Sequence, residues 1–186
     1  MTYHVDGHER HKENILAHIE DADSGSHNDT VRDMTSIQDG HATSTTEERI
    51  SNTDYFSQTS THTDYMKYIL NETPVSDMLL AEFNKLGYDS TEIGAYWFQQ
   101  YHDSDTHSWH THGDSHWAVV YYVELPESAP PTHIRSPYHK ETIVPDVGEG
   151  DVLVIPAQVI HRSPPNPTDD RKTVVAFNVV CSGDCH

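Results

Sequence analysis

Basic residues are scarce in this chain. Eleven Lys plus Arg face thirty Asp plus Glu, giving a formal charge of −19 over 186 residues. A field of that sign repels phosphate backbones and anionic bilayers, so neither nucleic acid nor a membrane surface is expected as a direct partner. Long apolar runs are missing as well. No stretch of about 18 apolar residues exists to cross a bilayer, and the opening MTYHVDGHERHKEN does not have the order of a secretory signal. A soluble, cytoplasmic protein is the expectation, and the glycosylation-like triplets at Asn28 and Asn71 then carry no meaning. Cysteine is nearly absent, with Cys181 and Cys185 confined to the terminal CSGDCH. That excludes a disulfide framework and leaves free thiols as the simplest reading. A metal clip with His186 is the weaker alternative, because terminal segments are usually mobile.

Apolar content is also low, at 34% with Tyr included, against roughly 45–50% in average soluble domains. The shortage is concentrated between about Asp21 and Ser60. The expected organisation is a polar N-terminal extension over 1–60, partly flexible and carrying a short helix, followed by one folded domain over 61–186. The helix spans about Glu9 to Glu20, with Ile15, Leu16 and Ile19 as a narrow apolar stripe. His4, His8, His11 and His18 share a helical face and read as a solvated one.

Two further helices are predicted. One covers Thr63 to Leu70, capped by Thr61 or Thr63. The other opens at Thr73-Pro74, carries Val75, Leu79, Phe83 and Leu86 on one side, and stops at Gly87. Both suit the outside of a sheet. From Glu92 onward the pattern is of strands: Ala95–Tyr101, Trp117–Leu125, Glu141–Val147, Val152–Ile155, Val159–Arg162 and Thr173–Val180. Gly and Pro punctuate them, as in Gly148-Glu-Gly150-Asp151 and Pro164-Pro165-Asn-Pro167. A mainly β chain with N-terminal helices, arranged as a sandwich or jelly roll, follows.

The chemistry concentrates in His110-Thr-His112-Gly-Asp114. Residues two apart on an extended chain point the same way, so His110 and His112 can present two imidazoles together. His161 ends a strand-like segment and offers a third. Two sets stay open: His110, His112 and His161, or His112, Asp114 and His161, the latter being a 2-His-1-carboxylate triad. Ten residues beyond His161 stands Arg171, two before Thr173 and so on its face. An inward guanidinium is costly unless it meets an anion, and its fork suits a carboxylate.

Three segments carry a resemblance: WHTHGDSHWAVVYYVELP, GEGDVLVIPAQVIHRSPPN and DDRKTVVAFNV. Together they resemble the 2-oxoglutarate- and Fe(II)-dependent oxygenase superfamily, most of all its small prolyl-4-hydroxylase-like members from viral and bacterial genomes. The likeness runs from Ala95 to Val180. It implies a double-stranded β-helix (jelly roll) with Fe(II) at its open end, held by His110, His112 and His161, with Asp114 as the alternative proximal ligand. It implies 2-oxoglutarate on the iron with its far carboxylate on Arg171, and allows for ascorbate. Thr173 is the best supporting residue for that cosubstrate. Tyr121, Tyr101 and Gln99 are further candidates, and Asn178 either faces the site or holds a loop. The implied reaction releases succinate and carbon dioxide and hydroxylates a small-molecule or peptide substrate that the sequence does not identify. Two rivals remain. A cupin would use His110, His112 and His116 with His161 from its second motif, without Arg171 or 2-oxoglutarate, and a non-catalytic jelly-roll binding module would use the histidines structurally.

Overall fold

Side-chain alternation along three strands decides where everything else sits. A computed structural model describes residues 1–23, 37–38, 41–42, 51–55, 64–139 and 141–183. Along the chain it contains β1 (Thr2–His4), α1 (His8–Asp23), β2 (Ile37–Gln38), β3 (His41–Ala42), β4 (Asn52–Thr53), α2 (Asp64–Glu72) and α3 (Val75–Lys85). There follow β5 (Ser90–Tyr101), β6 (His107–His110), β7 (Trp117–Glu124), β8 (His133–Arg135) and β9 (Thr142–Ile143). The last three strands are β10 (Asp151–Pro156), β11 (His161–Ser163) and β12 (Lys172–Ser182).

A six-stranded sheet has the order β1-β10-β7-β12-β5-β4, and a four-stranded sheet the order β6-β11-β8-β9. Every pairing is antiparallel. Two antiparallel sheets backed by helices are the expected jelly roll. The runs AVVYYV in β7 and VLVI in β10 are buried on both faces, which is why they read as continuous apolar strands. One face supplies Val119, Tyr121, Val123, Val152, Val154, Val175 and Phe177 to a core shared with the three helices. The other supplies Val120, Tyr122, Leu153, Ile155 and Val174 to a smaller core between the sheets, with Ile134 and Val159 packed against it.

The helices sit where amphipathicity places them. Ile15 and Ile19 of α1, Tyr65, Met66 and Ile69 of α2, and Val75 and Phe83 of α3 are all at 0% exposure. Gly87 ends α3 as expected, at φ +90°, with its N–H on the Asn84 carbonyl at 3.0 Å. Gly150 turns into β10 at φ +85°, where a Cβ would come within 2.9 Å of His4 and His8. The start of the chain is built into this body: β1 pairs with β10 at the sheet edge. His8 departs from the expected solvated face. It is buried under α1, with Nδ1 2.8 Å from the Tyr121 hydroxyl. His11 and His18 pack around Tyr68 instead.

Most of 21–60, the caps Thr61 and Thr63, and Cys185 and His186 of the alternative metal clip lie outside the described residues. Cys181 is a buried free cysteine. Among the described residues no helix is long and apolar enough to cross a membrane.

Candidate active site

The four-stranded sheet brings the histidines together because β11 lies between β6 and β8, with His161 opposite His110. His112 follows just past the end of β6, tied down by its backbone N–H on the Ala157 carbonyl at 2.8 Å. The ligand atoms of His110, His112 and His161 all lie within 4.8 Å of one another. His112 Nε2 and His161 Nε2 are 3.2 Å apart.

The other nitrogen of each ring explains why the three converge. His110 Nδ1 meets the Ser108 carbonyl at 2.7 Å, His161 Nδ1 the Val159 carbonyl at 2.9 Å, and His112 Nδ1 the Asn178 amide oxygen at 2.7 Å. An oxygen acceptor holds the proton on Nδ1, so each ring turns an Nε2 lone pair toward the others. Burial lowers the pKa of His112, and it pushes His161 down to about 3 with the His110 charge adding to the effect. Three neutral imidazole donors fit a first-row divalent metal, with oriented outer partners of the kind that fix ligand geometry. Asp114 is exposed and lies outside this group.

The cavity around the group is lined by residues of both sheets, among them Gln99, Tyr101, His107, Thr132, Ser163 and Lys172. Although the chain is rich in acidic residues, none lines it among the described residues. Lys172 is 1% exposed. Its Nζ donates to the Pro130 carbonyl at 2.8 Å and the Ser163 hydroxyl at 2.9 Å, and stands 4.9 Å from the centre of the Tyr101 ring. Burial alone pulls its pKa down to about 7. Among the described residues it makes no ion pair. A lysine in that position is costly until an anion joins it.

Arg171, Thr173 and Tyr121, expected to contact the cosubstrate, all stand outside the cavity lining. Arg171 forks onto Glu124, with Nε at 2.8 Å and Nη2 at 3.1 Å, and reaches Glu20 of α1 with Nη1 at 3.5 Å. Thr173 is fully buried and its hydroxyl bonds Glu124. Tyr121 is bonded to His8. Arg171 and Thr173 do share a face, but it is the helix-side face of the large sheet. The residue between them, Lys172, has the inward position. Its neighbour Arg171, with the better carboxylate fork, hid it in the sequence. Ser163 and Thr132 carried no signal. His107 needed an irregularity in β6 that its sequence does not announce. Of the secondary candidates, Gln99 and Tyr101 line the cavity, Asn178 orients His112, and His116 accepts the Cys181 N–H at 2.9 Å.

No protein-family model and no curated protein matches the chain by sequence. Solved structures match in shape. The epimerase SnoN from nogalamycin biosynthesis, non-heme and α-ketoglutarate dependent, aligns at TM-score 0.66 and 11% identity over 96% of this chain and 77% of that one. The carbocyclase SnoK from the same biosynthesis gives 0.63 and 11% over 97% and 79%. A Pseudomonas putida prolyl-4-hydroxylase gives 0.60 and 13% over 96% and 91%. The chain spans 59% of a Burkholderia pseudomallei protein of the 2-oxoglutarate–Fe(II) oxygenase family, at TM-score 0.53 and 12% identity. At such identities the likeness is one of fold, and the fold this chain shares is that of the 2-oxoglutarate- and Fe(II)-dependent oxygenases.

Proposed function

We propose that the chain is an Fe(II)- and 2-oxoglutarate-dependent oxygenase, with iron on His110, His112 and His161 and the far carboxylate of 2-oxoglutarate on Lys172. One observation carries this reading: a buried lysine with no acidic partner among the described residues lines the same cavity as three imidazoles with converging lone pairs. The bound pair supplies oxidative decarboxylation of 2-oxoglutarate to succinate and carbon dioxide, coupled to oxygenation of a second substrate.

The chain's own residues prepare for that chemistry. Ser108, Val159 and Asn178 hold the ligand imidazoles as Nδ1–H tautomers. Ser163 and the Pro130 carbonyl aim the Lys172 ammonium. Val120, Val174 and Ala176 add apolar lining to the cavity, which strengthens electrostatic contacts made there. The second substrate is a small molecule or a peptide. A prolyl residue is suggested by fold likeness alone.

A cupin-type metal enzyme that needs no 2-oxoglutarate is the second reading, favoured by the all-histidine donor set. Anaerobic titration separates the two. Fe(II) and 2-oxoglutarate together should develop a visible metal-to-cosubstrate charge-transfer band and raise Tm beyond iron alone. Iron binding with neither band nor added stabilisation would overturn the oxygenase reading and leave the cupin.

A further inference from the structure

A fourth imidazole lines the cavity that the metal group does not use. β11 and β6 pair at His161–His110 and again at Ser163–His107, so one residue of β11, Arg162, faces two of β6, Ser108 and Trp109. This bulge turns His107 inward beside His110, with the rings stacked 3.9 Å apart and 15° from parallel. His107 nevertheless lies outside the three-histidine metal group.

Its hydrogen bonds explain the difference. The Tyr101 hydroxyl lies 2.6 Å from Gln99 Oε1, and Gln99 Nε2 lies 3.1 Å from His107 Nδ1. A separation of 2.6 Å suits O–H···O and is too short for N–H···O, which fixes the orientation of the amide. An amide nitrogen only donates, so His107 Nδ1 accepts and the ring proton sits on Nε2. That tautomer is the reverse of the one held at His110, His112 and His161. A ring protonated at Nε2 has no lone pair there for a metal. Among the described residues no group bonds His107 Nε2.

We propose that His107 is a binding residue, not a fourth metal ligand: the Tyr101–Gln99 chain holds its proton on Nε2, which donates to an oxygen of the anionic ligand sharing the cavity with the metal. The proposal rests on the reading above that this ligand is 2-oxoglutarate, with Lys172 at its far carboxylate and His107 at an oxygen nearer the metal.

The tautomer can be read directly. Long-range ¹H–¹⁵N correlation on the Zn(II)-loaded, ¹⁵N-labelled protein should show Nε2–H for His107 and Nδ1–H for three other cavity histidines; Nδ1–H at His107 would overturn the inference whether or not 2-oxoglutarate binds. Two variants then test the contact. Gln99→Glu is isosteric and lets the introduced carboxylate accept from both Tyr101 and His107 Nδ1, moving the proton off Nε2. His107→Leu removes the donor altogether. Each should weaken 2-oxoglutarate about tenfold, measured by anaerobic titration of the Fe(II) protein, and His107→Asn should recover part of the loss. Unchanged 2-oxoglutarate affinity in both variants would sink the contact, and Fe(II) loss in His107→Leu as large as in His161→Ala would make His107 a ligand. Failure of the oxygenase reading looks different: wild-type protein would bind Fe(II) and ignore 2-oxoglutarate, with the His107 tautomer still as stated.

Discussion

Arg171 and Lys172 are consecutive cations pointing to opposite sides of the six-stranded sheet. Arg171 faces the helices, a third exposed, with Glu124 gripped by its fork and Glu20 within reach. Glu124 also takes the Thr173 hydroxyl. Lys172 faces the small sheet with a carbonyl, a hydroxyl and an aromatic ring around it and no carboxylate. The same division holds across the sheet: on the helix side His8 meets Tyr121 and Lys12 meets Glu149 at 2.7 Å, whereas the cavity on the other side has the histidine cluster and no acid among the described residues that line it. Charges on the helix side are neutralised within the fold. On the cavity side Lys172 is left without such a partner, as the proposed anion would require.

Four variants can break that contrast or sharpen it. The largest effect is expected from His161→Ala, which should cost more than about 100-fold in Fe(II) affinity, read by anaerobic titration. Retained affinity would detach the cluster from metal binding. Lys172→Met comes next. It should weaken 2-oxoglutarate by roughly 100-fold while leaving Fe(II) affinity within about twofold. The same substitution should stabilise the free protein by about 1–3 kcal/mol.

The sign of that gain with pH follows from the lysine itself. Its folded pKa, about 7, lies below the unfolded value of about 10.4. Between those values the unfolded chain binds more protons, so wild-type stability rises with pH across the window. The advantage of Lys172→Met should therefore be full below pH 7 and shrink toward pH 10, as denaturant melts at pH 6 and pH 9 will show. A less stable variant at pH 6 would mean that Lys172 is already satisfied by the fold.

Arg171→Ala should do the opposite. Stability should fall by about 1 kcal/mol, with 2-oxoglutarate affinity changed less than about twofold; a large affinity loss would return Arg171 to the cosubstrate. The smallest effect belongs to Asp114→Ala, for which Fe(II) affinity should stay within about twofold of wild type.

How much of this was legible depended on how much each strand buries. β7, β10 and β12 are closed by Pro or Gly and buried on both faces, so their Val, Ile and Tyr runs announce them. β6 and β8 are short, partly exposed and polar, and HSWH and HIR have no periodicity to detect. β9 shrank from the expected Glu141–Val147 to two residues for the same reason. His110, His112 and His161 could be proposed because i,i+2 spacing and a strand end survive modest errors of boundary. The proposed carboxylate anchor could not, since alternation has a period of two and a shift of one residue exchanges Arg171 for Lys172. Tyr121 was lost to the same parity: its neighbour Tyr122 is the one between the sheets, donating no clue from composition.

The bulge in β6 puts residues three apart on one face, which a regular strand does only at even spacing. A ladder straightened without loss of a residue would rotate His107 to the outer surface, and the cavity would lose an N–H donor with no change in any of the three candidate ligands. Removing one residue between His107 and His110 would straighten the ladder and leave both inward, two apart. Related sequences that keep these histidines three apart should consequently keep the bulge, and those with a single-residue gap should do without it and accept the same ligand.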